Sequence, residues 1–359
     1  MWNNGIHIIA NCRFVAFDRW MCRIVSVMII CTLRGINTII NPPANNIDDS
    51  VVITTPFAVS IVTSACQQPR NVVRLVHLRQ RSSSRGSEIK YAANFSLCVP
   101  PIFGNFDDLP GLVEFVEVNR VLGADKFQFY VDSVGRRVDA CLQEYARNGI
   151  VDLQPWSLPP DVARVIFYHG QILAMNECLY RLMYRTKYVI VQDLDEFVVP
   201  MRSDSWLSML KHINNDTFIN SDGIASYSFR NRWFATEILK ASSLTSVNSS
   251  KHRLKTLTAV QADEKLFPHD TRSKVMARPE RIIIWHVHLI LNSSLVRDGD
   301  INFAVHEKYG QLFHYRQGIT IDNTTTVSRM REFEEEIIGH IHVATAAKCL
   351  TGDNLHQWN

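Results

Sequence analysis

Asp193, Asp195 and Glu196 put three carboxylates into four positions, directly after an apolar run in the stretch KYVIVQDLDEFVVP, residues 187–200. If the backbone stays extended, alternation sends Asp193 and Asp195 to one side and Glu196 to the other. Two unshielded carboxylates on one side repel. A divalent cation removes that repulsion and prefers oxygen ligands. A diphosphate can supply the remaining oxygens, so an Asp-x-Asp pair at a strand end suits a metal–diphosphate clamp. Asp195 is the first candidate ligand, with Asp193 beside it or holding a ribose. The bland alternative is a solvated turn. A chemical rival, the phosphatase-type Asp-x-Asp with a nucleophilic first Asp, wants Thr or Val two residues after the second Asp. Phe197 stands there instead.

The elements needed to position such a pair are readable upstream. NFSLCVPP reads as a strand closed by prolines. DDLPGLVEFVEVNRVLG has Asp at its start, apolar residues at Leu109, Leu112, Val113 and Val116, and a stop at Gly123, which predicts a helix. KFQFYV alternates as a strand. RRVDACLQEYARNG sets Val138, Cys141, Leu142 and Tyr145 on one helical face. IVDLQPW is a strand, GQILAMNECLYRLMYR a helix and KYVIVQ a strand. Strands alternating with helices imply crossover connections, hence an α/β fold with a largely parallel sheet. Both faces of such a sheet are covered, which accounts for the unbroken run Tyr188–Val191. Ligands of open α/β sheets bind beyond the carboxyl ends of the strands, where this reading puts Asp193 to Glu196.

The 359 residues allow one large domain or two ordinary ones, and an apolar fraction of 46% supports a sizeable core. The net charge is +3 without a long basic run, so nucleic acid is not an expected partner. No repeat of fixed period is evident. The eight cysteines form no Cys-x-x-Cys pair and no zinc spacing. Asn-x-Ser/Thr sequons at Asn94, Asn215, Asn248, Asn292 and Asn323 tilt the reading toward a secretory route, where cysteines pair. Cys98, Cys141, Cys178 and Cys349 fall in the expected folded part, with their pairing open.

Residues 24–33 (IVSVMIICTL) are apolar between Arg23 and Arg34. Ten residues span only ~15 Å as a helix against a ~30 Å hydrocarbon core, so the segment reads as a marginal signal-anchor or an unstructured extension. As an anchor, Arg13, Arg19 and Arg23 before it favour a cytoplasmic N-terminus. Residues 41–90 hold NPPANN, QQPR and RQRSSSRGS, a linker or stem composition with a short strand at VVITT. The expected division is 1–40 N-terminal region, 41–90 stem, 91–345 catalytic domain and 346–359 tail.

The wider sequence resembles glycosyltransferase family 92. The carriers are CVPPIFGN, LVEFVEVNRVLGADKFQFYV, EYARNGIVDLQPW, YHGQILAMNECLYRLMYRTKYVIVQDLDEFVVP, SKVMARPE, HVH and HYR, in that order from about Cys98 to Arg316. The resemblance implies a GT-A type, Rossmann-like fold with a mixed, mostly parallel sheet flanked by helices. It implies a UDP-sugar donor, Mn2+ or a similar cation, and a type II Golgi membrane enzyme with a lumenal catalytic domain. Characterised members transfer galactose from UDP-galactose in β1,4 linkage, onto core fucose of N-glycans in animals or onto galactan in plants. This is implication by analogy. A catalytically inactive glycan-binding relative is the alternative. The first 90 residues do not match a clean anchor and stem, and SKHRLKTLTAVQADEKLFPHD has a family-like position without assignable residues.

Within that expectation several residues acquire roles. Asn176 shares a helical face with Ile172, Leu179 and Met183. As a buried amide it needs partners, so it bonds the nucleotide or caps a neighbouring loop, and the resemblance favours the nucleotide. Gln171 at the helix start carries the same argument more weakly. GT-A enzymes commonly complete the metal shell with a late histidine. Here His288 (with His286 in WHVH, alternating as on a strand) and His314 are the candidates, beside Asp193 and Asp195. Lys274 and Arg316 are candidate phosphate partners, since a cation stabilises a departing diphosphate. Inverting transfer needs a base for the acceptor hydroxyl. Glu196, Asp263, Glu264 and Glu237 are available, with Glu196 and Glu264 carried as catalytic candidates. Glu196 faces an acceptor or forms a salt bridge. Trp206, Trp233 and Trp285 stack on sugars or fill the core.

Overall fold

In a computed structural model, the run that carries the acidic turn is a central strand of a seven-stranded sheet. The structure describes residues 90–218, 223–236, 254–290, 301–344 and Cys349, with strands also at Asn11–Ala16, Val27–Thr32, Ala58–Val59 and Val73–Arg74. The chain divides into two compact units, Met1–Ser87 and Glu88–Asn359.

In the first unit β1 (Asn11–Ala16) pairs antiparallel with β2 (Val27–Thr32), and β3 (Ala58–Val59) with β4 (Val73–Arg74). The apolar run expected to serve as a helical anchor thus contributes a strand. Among the described residues no helix is long and apolar enough to cross a membrane. The strand expected at VVITT lies outside the described residues.

The second unit begins with β5 (Ala93–Ile102), α1 (Leu109–Leu122), β6 (Lys126–Val131), α2 (Arg136–Arg147), β7 (Val151–Pro155), a short α3 (Pro160–Ala163), α4 (Gln171–Leu182) and β8 (Thr186–Val191). The local chemistry explains each boundary. Asp108 caps α1 by accepting from the Gly111 amide at 3.0 Å. Gly123 ends it with φ 124°, its N–H turned back to the Asn119 and Arg120 carbonyls. The face Val138, Cys141, Leu142 and Tyr145 of α2 is buried, as the spacing predicts.

Beyond β8 come β9 (Glu196–Pro200), α5 (Trp206–Thr217), β10 (Ile224–Phe229), β11 (Asn231–Ala235), a short α6 (Lys255–Thr258), β12 (Gln261–Asp263), β13 (Lys274–Ala277), β14 (Ile301–Ala304), β15 (Gly310–Arg316), β16 (Thr324–Thr326) and α7 (Glu334–Ala344). The seven-stranded sheet runs β7-β6-β5-β8-β13-β10-β14, with β13 alone reversed. The alternation predicts its largely parallel strands, and the reversed β13 makes it the mixed, mostly parallel sheet flanked by helices that the family resemblance implies. The second sheet, β9-β15-β11-β12-β16, is mostly antiparallel and has no counterpart in the sequence reading.

Two consequences matter for function. The chain leaves the first sheet at the end of β8 and enters the second at the start of β9, so the acidic turn is the seam between them. Because β13 runs backwards beside β8 (Met276 opposite Ile190), its first residue, Lys274, arrives at the carboxyl end of β8. In the second sheet, Glu196 on β9 is in register with His314 on β15, and His314 with Trp233 on β11. In-register neighbours share a face.

One expected strand is absent. His286 and His288 lie in an irregular segment whose β contact is a single bridge, Trp285 to Ile290, so their alternation does not place them on a strand face. Of the tryptophans, Trp206 and Trp285 are core, both under 2% exposed. Trp206 donates to the Val198 carbonyl at 2.7 Å.

The four cysteines of the folded part pair as Cys98–Cys178, joining β5 to α4, and Cys141–Cys349. The first cross-link closes an 80-residue separation. Replacing Cys98 and Cys178 by alanine is expected to cost about 2–4 kcal/mol, read as a lower denaturant midpoint; an unchanged midpoint would count against the bond.

Candidate functional site

The acidic segment is not extended. The Glu196 amide donates back to the Asp193 carbonyl at 3.1 Å, closing a turn. The turn swings Glu196 beneath the two aspartates, where its Oε2 accepts from the Asp193 amide at 3.2 Å. Asp193 and Asp195 then diverge instead of standing side by side, and each acquires its own cation. Lys274 Nζ lies 2.9 Å from Asp193 Oδ2 and 3.1 Å from Glu196 Oε2. His314 Nε2 lies 3.2 Å from Asp195 Oδ2, and its Nδ1 lies 3.5 Å from Glu196 Oε1. The result is an alternating chain, Asp193–Lys274–Glu196–His314–Asp195.

Burial separates the members. Lys274 and Glu196 are 1% and 3% exposed, whereas the Asp193 and Asp195 side chains are 41% and 39% exposed. The inner pair is structural and the outer carboxylates face solvent. Burial, helped by Asp193 and Asp195, pushes the Glu196 carboxyl up to about 7 against the pull of Lys274 and His314. Burial opposes the charge on Lys274, but Asp193 and Glu196 outweigh it and hold the ammonium above its ordinary range. For Asp195 and His314 burial again opposes charge, and the hydrogen bond between them wins: the carboxyl is lowered and the imidazole raised.

Surrounding groups fix the turn. Gln171 Nε2 is 3.4 Å from Asp193 Oδ1. It opens α4 directly after three left-handed residues, Tyr168 (φ 40°), His169 (φ 51°) and Gly170 (φ 75°). Gln192, fully buried, donates to the Glu196 carbonyl at 3.2 Å, and Lys255 to the Leu194 carbonyl at 3.2 Å. Tyr315 N–H donates to the Asp195 carbonyl at 2.8 Å. Asn231, also fully buried, places Nδ2 3.4 Å from His314 Nδ1 and 3.1 Å from the Arg272 carbonyl. Asp193 and Leu194 also line an apolar cleft of about 220 Å³ with Val99 to Phe103 and Phe106, at the carboxyl end of β5.

Among the described residues no three His, Cys, Asp or Glu side chains form a ready metal cage. The Asp195–His314 pair nevertheless fits a cation. Two ligands at ~2.1 Å in adjacent octahedral positions stand ~3 Å apart, close to the 3.2 Å observed. A carboxylate beside an imidazole suits a first-row cation such as Mn2+ better than Mg2+, which prefers all-oxygen ligands, and a diphosphate could complete the shell from the open side.

The structure brings Asp193, Asp195, Glu196, Gln171, Lys274 and His314 together and reassigns several of them. Glu196 does not face an acceptor: both oxygens are engaged within the buried chain, so it is a structural counter-charge and not an exposed base. Lys274 is likewise consumed by carboxylates and is not presented to a phosphate. Asn176 takes the loop-capping role instead of the nucleotide. Its Nδ2 donates to the Ile172 and Trp285 carbonyls at 2.8 Å each, and its Oδ1 accepts from the Trp285 amide at 2.9 Å, all within the core. His288 is held by its Nδ1–H to the Ser273 carbonyl at 3.2 Å and has no hydrogen bond to either aspartate. Burial, with the nearby Lys274 charge, pushes it down to about 4. Glu264 is exposed, with only backbone hydrogen bonds to Asn323 and Arg232. Ala262 is in register with Phe234, so alternation leaves Asp263, not Glu264, on the face of Trp233 and His314. Arg316 lies two residues past His314 with its guanidinium over Trp233 at 5.4 Å. Glu237 lies outside the described residues. Lys255, Gln192 and Asn231 escaped the sequence reading. Their hydrogen bonds run to backbone or across strands, and spacing along the chain carries no trace of them.

The fold is α/β, a mixed, mostly parallel sheet and a mostly antiparallel sheet joined at the acidic turn. The chain belongs to glycosyltransferase family 92, whose family profile matches residues 93–348. It is similar to a Caenorhabditis elegans protein named Beta-1,4-galactosyltransferase galt-1, at 24% identity over 271 residues, 75% of this chain and 58% of the relative. It thus spans less than two thirds of that relative's length. It is similar also to an Arabidopsis thaliana protein named Galactan beta-1,4-galactosyltransferase GALS1, at 21% identity over 364 residues, 94% of this chain and 68% of the relative. Among solved structures it resembles S. aureus TarS 1-349 in complex with UDP, with TM-score 0.35 and 11% identity over 74% of this chain and 68% of that one. It also resembles glucosyl-3-phosphoglycerate synthase from Mycobacterium tuberculosis in complex with Mn2+, UDP and glucosyl-3-phosphoglycerate, with TM-score 0.30 and 10% identity over 72% of this chain and 81% of that one.

The alternating chain makes a test of its own. Lys274→Met strands two carboxylates, one of them buried, and is expected to destabilise by ~3–5 kcal/mol. Adding Glu196→Gln should recover part of that loss in a double-mutant cycle followed by denaturant unfolding. Additive effects would show that the two side chains do not interact.

Proposed function

We propose that this chain is a metal-dependent, inverting galactosyltransferase. In this reading it moves galactose from UDP-galactose in β1,4 linkage onto a glycan acceptor, such as fucose on an N-glycan core. The observation that carries the reading is the pair of a half-exposed Asp195 with His314 of β15, at the seam of the two sheets beside the apolar cleft and backed by the buried Lys274–Glu196 pair. The names of two relatives, both beta-1,4-galactosyltransferases, support galactose and the linkage.

Asp195 and His314 would hold a Mn2+-like cation, which when bound offsets charge on the donor diphosphate. The chain's own residues do the rest. Asp193, fixed by Lys274 and Gln171, is oriented to accept from a ribose hydroxyl. The Val99–Phe106 cleft offers an apolar wall for the nucleoside. Asp263 is the described base candidate that shares the face of His314 and Trp233, and we assign it the acceptor proton.

We also propose that this chain works in the Golgi lumen. Two disulfides suit an oxidising compartment, and the sequon residues Asn94, Asn215 and Asn323 are exposed. Protein made through the secretory pathway is expected to lose mass on N-glycosidase treatment; an unchanged mass together with free thiols would count against this location.

The deciding assay is Mn2+-dependent binding and turnover across a panel of UDP-sugars. Asp195→Ala and His314→Ala are expected to weaken Mn2+-dependent UDP binding by ~100-fold or more and to abolish transfer with the fold intact. Full activity of Asp195→Ala with added Mn2+ would overturn the clamp. Tight glycan binding without turnover of any UDP-sugar would favour the inactive-relative reading.

A further inference from the structure

On the far side of His314 from the apolar cleft, the structure gathers a second set of groups. Trp233 on β11 is the in-register neighbour of His314, so its side chain shares the face that carries the Asp195–His314 pair. Two guanidiniums lie over its indole, Arg272 at 5.1 Å and Arg316 at 5.4 Å. Arg272 also lies 5.6 Å from the Phe267 ring, which packs against Trp233. Each arginine is anchored independently. Arg316 ends β15 two residues after His314, and the Arg272 backbone, in the left-handed region at φ 57°, is held by the Asn231 amide that also reaches His314.

Neither guanidinium has a carboxylate within ion-pair distance among the described residues. Asp263, on the same face, spends its Oδ1 on the Lys265 amide. The Trp233 Nε1–H is buried without an acceptor. One ring therefore carries two guanidiniums, neither with a carboxylate partner among the described residues. Stacking on an indole tolerates two arginines but does not neutralise them. An anion reaching either guanidinium would, as a bidentate partner for its planar fork.

The order of the site indicates which anion. The apolar cleft ends at Asp193 and Leu194. Asp195 and His314 follow, and Trp233 with its arginines lies beyond. If the nucleoside occupies the cleft and the diphosphate the middle, the arginines stand at the sugar and acceptor end. We propose that Trp233, Arg272 and Arg316 form an acceptor subsite for an acidic sugar, one bearing a carboxylate, sulfate or phosphate group next to the hydroxyl that is glycosylated. This rests on the glycosyltransferase reading above and extends it from a glycan acceptor to an anionic one.

The test uses the full chain with Mn2+ and calorimetric binding of a neutral oligosaccharide, the same oligosaccharide carrying sulfate or a uronic acid, and UDP. The acidic form is expected to bind about tenfold or more tightly than the neutral one. Arg272→Gln and Arg316→Gln should each remove most of that preference while UDP affinity stays within about twofold. Arg316→Lys, which keeps the charge but loses the fork, should fall between and guards against a folding defect, checked by thermal unfolding. Equal binding of neutral and acidic forms by the native protein would overturn the subsite. A loss of UDP affinity in step with the arginine variants would overturn it too, reassigning the pair to the donor diphosphate. Binding is read without turnover. Acid-selective binding in a chain that turns over no UDP-sugar would therefore sink the transferase reading and leave the subsite standing, and the reverse outcome separates the two in the other direction.

Discussion

The Lys274–Glu196 ion pair is the interaction on which the site depends, because it lets three carboxylates sit at one strand end inside a folded protein. Removing an ammonium and a carboxylate from water costs several kcal/mol each unless they find one another. The fold meets that condition by topology. Reversing β13 within an otherwise parallel sheet delivers Lys274 to the end of β8, and the tight turn at Asp193 tucks Glu196 under it. With the inner charges matched, the outer aspartates are free to remain half-exposed and to serve a ligand. The buried pair thus contributes little as a source of net stability and much as a device that specifies where Asp193 and Asp195 point.

The same seam explains why two sheets are needed. The seven-stranded sheet supplies the apolar cleft, Asp193 and Lys274, whereas His314, Trp233, Arg316 and Asp263 come from the five-stranded sheet. Asp195 belongs to the turn between them. Its carbonyl accepts from Tyr315 and its side chain meets His314, so β15 docks on the turn at two adjacent residues. A ligand bridging from the cleft to Trp233 would span both sheets, and the Cys98–Cys178 bond fastens α4, with Gln171 at its start, to the strand that walls the cleft.

How much of this was legible in the sequence follows from the range of each interaction. The first half of the second unit was readable, since α1, α2 and α4 each carry a stop signal or an amphipathic face and the parallel strands β5, β6 and β8 are dense apolar runs. Asp195 stood out by residue type and strand-end position, whereas His288 and His314 were equal candidates in the sequence, and it is the strand register that sets His314 beside Asp195. The second sheet was not readable. Its strands are short, GQLFHYR mixes polar and apolar residues, and their partners lie far along the chain, as with Phe197 opposite Phe313. Glu196 was read as facing an acceptor or forming a salt bridge, and the structure takes the second course through Lys274, itself read as a phosphate partner. An extended turn sends Glu196 outward, whereas one backbone hydrogen bond, Glu196 N–H to Asp193 O, turns it inward. Asn176 was correctly flagged as a polar group in an apolar stripe. Its partner at Trp285, 109 residues away, had no local signature.

Charge across the face then has a direction. At one end Asp193 and Asp195 present carboxylates to solvent. At the other, Arg272 and Arg316 present guanidiniums on Trp233 with no carboxylate of the described chain to meet them. His314 stands between, in register with Glu196 on one side and Trp233 on the other. A face graded from negative to positive over three adjacent strands orients any ligand that carries a cation-bridged diphosphate at one end and an anion at the other. A uniformly acidic cleft would bind the cation equally well but would give the acceptor no preferred end. Strand register sets the order Glu196, His314, Trp233 across this face, whereas the acidic turn before β9 and the bend before β13 bring the aspartates and Arg272 to its two ends, so the polarity of the face needs both sheets and both turns.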